Sequence, residues 1–422
     1  MSPQRRCGVT EPPVTRKSRI GSFLGLQRGT VGVLLVVVLV GSGEHLAERF
    51  LPIYLLAIGG GAILIGLLQA MDNLLSALYS YPGGYLADRI GARRSLVAFN
   101  LVAMAGYAIV IAIPAWPAVI VGAVLFISWS AISAPATLSV IYRMLPAGKR
   151  TMGVTMHSLV RRVPMALGPL LGGVFIAVWG ERDGVRAAFV AAFVLAAIAL
   201  LFQQRMIPAD PPRAAAALAP FHPRALMRRM SPAMRNLLVS DILIRFCEQI
   251  PYAFVVVWTM KTIESPVTAV QFGMLTAIEM VTAVLIYIPV AAAADRLTKK
   301  PFILATFGFF TLFPLVLLVS ESFGWLVVAF VLRGLKEFGE PTRKSLIMEL
   351  SPDDARAAMF GLYYLIRDLV VSLAAFGGAF LWIIDPELNL LVAAGFGVLG
   401  TIWFAIWGKD AEGLRPSAVN SP

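Results

Sequence analysis

The sequence predicts an all-α polytopic membrane protein with twelve transmembrane helices in two pseudo-symmetric six-helix bundles. Hydrophobic residues make up 58% of the chain and charged residues only 14%, whereas soluble domains carry about a quarter charged residues. Apolar runs of about 20 residues, the length that crosses a bilayer, recur along the 422 residues. A repeat half a chain long indicates that the two halves have similar structures.

The repeat aligns residues 66–95 with residues 273–302 without a gap, at an offset of 207 positions. Its matched positions are Gly66 with Gly273, Pro82 with Pro289, and residues 87–89 with residues 294–296. A second match, at an offset of 205, pairs Arg162 with Arg367. Two matches in separate parts of each half support two bundles of the same design.

Twelve apolar runs predict helices α1 to α12, six on each side of a proline-rich linker. The first six lie at about 31–57, 61–86, 95–114, 117–143, 152–179 and 187–205. The other six lie at about 236–261, 268–292, 302–320, 324–348, 356–383 and 389–407. We expect an arm at 1–29, bundles at 30–205 and 236–408, a linker at 206–235 and a tail at 409–422.

The net charge of +12 is interpreted as a topology signal and not as a nucleic-acid site. Most of the 36 lysines and arginines fall in segments that the alternating apolar runs place on one side of the membrane. This asymmetry predicts that both termini are cytoplasmic, in a multi-pass protein of the plasma membrane, the inner membrane of a bacterium. We expect the partners to be the lipid bilayer and a small solute, and the protein to be a monomer.

The motifs of several function classes are missing from the sequence. There is no Walker loop, dinucleotide fingerprint, HExxH helix or Cys/His metal spacing, and the chain has two cysteines. We therefore expect no enzyme activity, no bound metal and no cofactor.

A glycine-rich charged motif, GYLADRIGARR, follows the second apolar run. A carboxylate at a helix end, followed by a turn and several cations, can bond to the terminus of a neighbouring helix. Such a cluster could hold the two bundles in one conformer, or it could serve only as a topology signal. Both interpretations are open from the residues alone.

Six plus six helices, a basic linker and this motif resemble the major facilitator superfamily. The matching motif positions are Gly84, Asp88, Arg89, Gly91 and Arg93, and the second copy keeps Asp295 and Arg296. The resemblance implies that the motif is a conformational latch and that α1, α4, α7 and α10 line a central cavity. Many relatives carry an arginine in α4 for proton coupling, and its absence from this α4 puts that route in doubt.

Charged residues within the apolar runs are the candidate site. An ionisable group at bilayer depth costs about 2.5–3.5 kcal/mol, so it needs a partner or a function. The candidates for substrate binding and proton coupling are Glu44, Glu48, Arg49, Arg162, Arg245, Glu248, Arg333, Lys336, Glu337, Glu340 and Arg367. The proposed proton carriers among them are Glu44, Glu48, Glu248 and Glu340, because a carboxylate in a dry cavity binds a proton more readily than in water.

Helix α10 is the densest of the charged runs. Its spacing predicts pairs four residues apart on one helix side: Arg333 with Glu337, Lys336 with Glu340, and Glu340 with Lys344. Two interpretations are open. The stripe is either a closed set of ion pairs that positions helices, or a site that binds substrate and couples it to protons.

Two short motifs bear on the direction of transport. Glu48-Arg49-Phe50 is similar to the helix 1 motif of proton-coupled peptide transporters. The α5 stretch with Gly168, Pro169, Gly172 and Gly173 resembles half of the antiporter signature of drug/proton exporters, although tight packing alone would also explain it.

We expect a secondary active transporter that works by alternating access. Proton-coupled efflux of a small organic solute is the first hypothesis, from the α5 motif. The alternative is proton-coupled uptake of a zwitterionic or anionic metabolite or peptide. A third hypothesis, of a different class, is a transporter-like sensor that moves no solute.

Overall fold

The computed structural model describes residues 28–127, 129, 133, 137, 150–207, 223–294, 298–352 and 356–410. Within these ranges it gives only the backbone of 28–30, 80–85, 87–89, 150–159, 223, 287–289, 291–294, 341 and 356–358. The described residues are helical almost throughout, and they include no strand. The all-α prediction is therefore confirmed.

The first bundle contains α1 to α6. Helix α1 is Arg28–Glu48 and continues as Leu51–Ala57, α2 is Ala62–Ile90 and α3 is Ala92–Ala112. Helix α4 begins as Trp116–Phe126, and Arg150–Met206 contains α5 and α6.

The second bundle contains α7 to α12, and a short helix, Pro223–Arg228, precedes it. Helix α7 is Pro232–Tyr252, Val255–Val257 and the π-helical turn Trp258–Thr262. Helix α8 is Ala269–Ala294, α9 is Lys300–Leu318, and α10 is Phe323–Leu335 with Glu340–Glu349. Helix α11 is Arg356–Ile384 and α12 is Pro386–Trp407.

The lengths of these helices agree with twelve spans. In the described part, 8 helices are long and apolar enough to cross a membrane, or 9 if the bent α7 counts as one span. Arg150–Met206 supplies two crossings because Gly180 breaks it. The shorter apolar helices Trp116–Phe126 and Phe323–Leu335 belong to α4 and α10. We call the membrane face that carries the linker the linker side, and the opposite face the far side.

Two of the gaps between predicted helices are single-residue breaks in the structure. The sequence predicts α2 at about 61–86 and α3 at about 95–114, but α2 runs to Ile90 and α3 starts at Ala92, with only Gly91 between them. Gly91 has φ 94° and Gly180, between α5 and α6, has φ 79°, a region that side chains with a Cβ rarely adopt. A glycine reverses the chain there without a longer loop.

Three other helices are interrupted where proline stands. Pro52 and Pro341 each occupy the first turn of the second segment of α1 and α10, since a proline cannot donate to the preceding turn. Helix α7 bends by 42° after Pro251. Each interruption lies next to charged residues of the candidate site.

The bundles meet closely on the far side. A Cβ built on Gly66 of α2 would lie 2.5 Å from Ala379 Cβ of α11. A Cβ on Gly173 of α5 would lie 2.4 Å from the carbonyl oxygen of Ala269, at the start of α8. A residue with a Cβ would clash at either position, so only glycine allows the helices to approach this closely. The far side of the molecule is therefore closed.

Candidate functional site

A cleft lies between the two bundles, on the linker side of the closed face. Both bundles line it. The first contributes Glu48, Arg49, Gln69 and Asp72, and the second contributes Tyr252 and Arg333, with apolar side chains filling the rest of the wall. A partly apolar cleft with a few convergent polar groups is the usual form of a small-molecule site.

Two arginines, one from each bundle, stack on the ring of Tyr252. The guanidinium of Arg49 lies 5.0 Å from the ring centroid and that of Arg333 lies 5.2 Å from it. Arg333 is also 3.4 Å from Glu279. Arg49 has no carboxylate within ion-pair distance among the residues that the structure describes. Both arginines line the cleft, and a guanidinium pairs strongly with a carboxylate or phosphate group.

The acidic side of the cleft comes from α1 and α2. Glu48 and the Nδ1 atom of His45, one helical turn earlier, are 2.6 Å apart. Asp72 accepts only long hydrogen bonds, from Gln69 Nε2 and from Ser76 Oγ, each of 3.5 Å. The cleft therefore offers a positive and a negative region, which suits a zwitterion.

Neutral amides join the bundles beside these acids. Gln249 of α7 accepts hydrogen bonds from Asn73 Nδ2 at 3.1 Å and from Gln69 Nε2 at 3.4 Å, both on α2. These bonds cross the bundle interface at the depth of the cleft, and they would have to break or exchange if the bundles move.

The remaining charges form a continuous second-bundle ion network, made of Asp241, Arg245, Glu248, Glu279, Arg333, Lys336, Glu340, Arg343, Arg367 and Asp368. Near the cleft, Lys336 lies 2.8 Å from Glu248 and 3.4 Å from Glu279. Arg245 lies 2.6 Å from Glu248 and 3.5 Å from Glu340. The network therefore ties α7, α8 and α10 together.

The part of the network nearer the linker side is centred on Arg343. Arg343, only 2% exposed, bonds to Asp241 and lies 2.7 Å from Glu340. Arg367 of α11 lies 3.5 Å from Asp241 and 2.7 Å from Asp368. Asp241 and Arg343 were not among the predicted site residues, although both carry a charge within an apolar run.

Two of the three pairs predicted along α10 are wrong. Arg333 does not pair with Glu337, nor Lys336 with Glu340, because the helix is interrupted between Leu335 and Glu340. The pair of Glu340 with Lys344, at 3.4 Å, is confirmed.

Glu337 instead reaches the first bundle. Its carboxylate accepts a 2.8 Å hydrogen bond from Arg162 Nη2 of α5. Arg162 and Arg367 occupy corresponding positions of the repeat. Arg162 bridges the two bundles, whereas Arg367 belongs to the second-bundle ion network. Glu44 is buried on α1 and is not one of the cleft-lining residues.

Most of the predicted latch falls outside what the structure describes: the side chains of Asp88 and Arg89, and Asp295 and Arg296 altogether. The backbone of Gly84 lies within α2. Gly91 makes the break between α2 and α3. Arg93 Nη2 donates to the Gln204 carbonyl oxygen at 2.7 Å and to its Oε1 at 2.6 Å. These contacts join α3 to α6 within the first bundle, so a latch between bundles stays a prediction.

The α5 glycine motif packs against backbone. A Cβ on Gly172 would lie 2.1 Å from the Leu46 carbonyl oxygen of α1, and one on Gly168 would lie 2.7 Å from His45 Cβ. With Gly173 against α8, these glycines place α5 directly on both neighbouring helices. Close packing is thus sufficient to explain the motif.

The fold and a central cleft shared by two bundles define a multi-pass membrane transporter. The model of the Major Facilitator Superfamily matches residues 33–266 and again 237–421. The chain belongs to this superfamily, which confirms the resemblance inferred from the motif after α2.

Solved transporter structures share the fold at low identity. A POT family transporter in complex with 5-aminolevulinic acid is 13% identical with a TM-score of 0.75, covering 90% of this chain and 96% of its own. A peptide transporter POT mutant in complex with alafosfalin is 15% identical with a TM-score of 0.75, and the match covers 93% of this chain and 97% of the transporter chain. A mutant of the nucleoside transporter NupG is 15% identical with a TM-score of 0.74, covering 90% and 100%. No curated protein matches the chain.

Proposed function

We propose that the protein is a proton-coupled symporter that takes up a small organic solute carrying an anionic group. The observation that supports this most is the pair of arginines on Tyr252, because Arg49 lines the cleft without a carboxylate partner in the described part of the chain. A charged group at bilayer depth is normally paired with a group of opposite charge, and among the described residues Arg49 has only the Tyr252 ring at short range. A carboxylate or phosphate of the solute would supply the missing charge.

The solute also carries a cationic group in this proposal. Glu48 lines the same cleft as the two arginines, so a molecule with both charges would find a partner for each. One similar structure contains 5-aminolevulinic acid, whose name states an amino and an acid group. We therefore propose small amino acid-like or peptide-like solutes as the substrate class.

Uptake is preferred over efflux for a structural reason. The α5 motif on which the efflux hypothesis depends is accounted for by the contacts of Gly168 and Gly172 with the α1 backbone. In contrast, Glu48 and Arg49 of the Glu-Arg-Phe motif line the cleft, and Phe50 packs on Phe272 of α8 at 5.7 Å. The motif typical of peptide uptake thus lies at the proposed binding site.

In the proposed cycle the second bundle moves as a rigid unit. Its buried ion network would leave unpaired charges if α7, α8 and α10 separated, and breaking a buried pair costs about 3–5 kcal/mol. The polar contacts between bundles are fewer and more easily exchanged: the amide bonds of Gln249, the Arg162–Glu337 pair and the surface pair of Lys261 with Glu181. Alternating access would therefore occur at the bundle interface.

The first experiment is a binding screen on the purified protein. Small zwitterions, including 5-aminolevulinic acid, and matched anions and cations are tested for an increase in the Tm, since a ligand that binds only the folded state stabilises it. We expect zwitterions or anions to raise the Tm and simple organic cations to leave it unchanged. Stabilisation by cations alone would contradict the proposed substrate class.

The second experiment measures flux in proteoliposomes with the best ligand of the screen. A symporter accumulates the solute when the outside is acidic, whereas an antiporter accumulates it when the inside is acidic, and neither result depends on protein orientation. We expect accumulation with the acidic exterior and its loss with a protonophore. Accumulation only with the acidic interior would support efflux, and binding without flux under either gradient would support the sensor hypothesis.

A further inference from the structure

We propose that Asp72 of α2 is the carboxyl group that binds and releases the coupled proton. The proposal rests on the proton coupling proposed above, and it assigns the proton to a residue that the sequence motifs do not single out. Asp72 lies on the wall of the cleft, next to the solute site and not behind it.

Asp72 differs from the other described acids of the membrane spans in its partners. It has only the two 3.5 Å hydrogen bonds from Gln69 and Ser76, and no basic group within ion-pair distance among the described residues. The other acids are each paired: Glu48 with His45, Asp241 and Glu340 with Arg343, Glu248 and Glu279 with Lys336, Glu337 with Arg162, and Asp368 with Arg367. Glu44 is also engaged by another group.

This difference decides which acid can exchange a proton at low cost. Protonating a paired acid breaks its ion pair and leaves a buried cation without a partner. Protonating Asp72 breaks no ion pair, and its two hydrogen bonds are already at the limit of hydrogen-bond length. Asp72 is also only half-buried and lines the cleft, whereas Asp241 is 1% exposed.

The charged groups around Asp72 come mainly from α1. Glu44, Glu48 and Arg49 act on it electrostatically, and Arg49 is the positive one. On α11, which packs along α2, the charged side chains that the structure describes are Arg367 and Asp368, and they bond to each other. On α7, the neutral Gln249 bonds to Gln69 and Asn73 of α2, and Tyr252 lines the same cleft as Asp72.

Arg49 would then couple the proton to the solute. While the solute site is empty, Arg49 favours the carboxylate form of Asp72. An anionic group bound to Arg49 removes that attraction, so Asp72 binds a proton as the solute binds. By reciprocity, a proton on Asp72 leaves Arg49 free to bind the anion. Proton and solute therefore load together, which is the order that symport requires.

The direct test is infrared spectroscopy of the full-length protein in vesicles, without any solute. The pH is lowered from about 8 to about 5, the range over which functional side chains exchange protons. We expect a carboxylic C=O band to appear in the wild type and to be missing from the Asp72→Asn variant. The matched control is Asp183→Asn, because the Asp183 side chain is 69% exposed on the far side and outside the cleft. A band that persists in Asp72→Asn would overturn the assignment.

The second arm uses 5-aminolevulinic acid as the probe in proteoliposomes. Asp72→Asn is expected to lose accumulation driven by the pH gradient, down to the level of protein-free vesicles. It is expected to keep equilibrium exchange of labelled for unlabelled probe, which also shows that the variant is folded. Gradient-driven accumulation by Asp72→Asn would overturn the proposal. Absence of all flux in the wild type would instead count against the proposed function, and the infrared result would still decide whether Asp72 binds a proton.

Discussion

Asp72 and Glu279 occupy corresponding positions of the sequence repeat, and the structure gives them opposite surroundings. Glu279, 1% exposed, lies 3.4 Å from both Arg333 and Lys336. Asp72 faces the cleft with two long hydrogen bonds. An acid at the same depth of an equivalent helix is thus structural in one bundle and available for chemistry in the other.

Replacing Arg49 by Gln tests the anion site. The variant loses the positive charge without a large change in size, and a hydrogen bond to a charged group is worth about 1.5–3 kcal/mol. We expect the Kd of 5-aminolevulinic acid to rise by about 10-fold to 100-fold, measured by titration of the purified protein. The control is Arg224→Gln, at an exposed arginine of the linker helix. Equal affinity in the two variants would exclude Arg49 from the solute site.

Replacing Glu340 by Gln tests whether the α10 charges are structural. The change leaves Arg343, 2% exposed, with Asp241 as its remaining acid, and removes the partner of Arg245 at 3.5 Å. We expect a loss of about 3 kcal/mol in stability, seen as a clearly lower Tm, because a buried charge loses its counter-charge. Asp72→Asn breaks no ion pair and should leave the Tm nearly unchanged. A lower Tm for Asp72→Asn than for Glu340→Gln would reverse these assignments.

At the scale of the helix, α10 shows why spacing alone gave the wrong pairs. The four-residue spacing assumes an unbroken helix, but residues 336–339 form a turn and a new segment begins at Glu340. The turn redirects Lys336 to Glu248 and Glu337 to Arg162. Pro341 was a visible signal of this break, since proline is common in the first turn of a helix.

Gly172→Ala tests the contact of α5 with α1. The added methyl group would lie 2.1 Å from the Leu46 carbonyl oxygen, so the helices must separate. We expect a loss of about 1–3 kcal/mol, measured as a lower Tm in detergent. Gly308→Ala is the control, because a Cβ there meets nothing within 4 Å. The packing explanation of the α5 motif would fail if both variants unfolded at the same temperature.

At the scale of the whole molecule, the bundles are closed on the far side and enclose the cleft below that face. Gly66 against α11 and Gly173 against α8 close the two long interfaces. An ion pair at the surface adds to them: Lys261, at the end of α7, lies 2.5 Å from Glu181, at the turn between α5 and α6. The structure therefore represents the conformer that is shut toward the far side.

Lys261→Glu tests this closure. The pair of Lys261 with Glu181 is partly exposed, and such pairs contribute about 0.2–1 kcal/mol. The variant replaces the pair by two neighbouring acids. It should therefore shift a modest fraction of molecules toward the conformer that is open on the far side. Spin labels at cysteines replacing Ala57 and Ser322, in a Cys7→Ser background, report the far-side distance between bundles. We expect a longer-distance population in Lys261→Glu. The matched control, Lys299→Glu, removes the Lys299–Glu349 pair within the second bundle and should leave the distances unchanged.

The sequence by itself determined the membrane class, the positions of the described helices to within a few residues, the two related halves and the superfamily. These properties depend on local features of the sequence: apolar runs, the positions of lysine and arginine, and short motifs that can be recognised without knowing the tertiary structure. The site could be predicted only as a set of charged residues. Only the tertiary structure decided that Arg333 pairs with Glu279, that Arg162 crosses to Glu337, and that Arg49 and Asp72 face the cleft without ion-pair partners in the described part of the chain. The physical reason is that a charge in the membrane interior is stabilised by the side chains of whichever helix packs opposite it. Which helix packs there depends on helix breaks and glycine contacts spread over the whole chain.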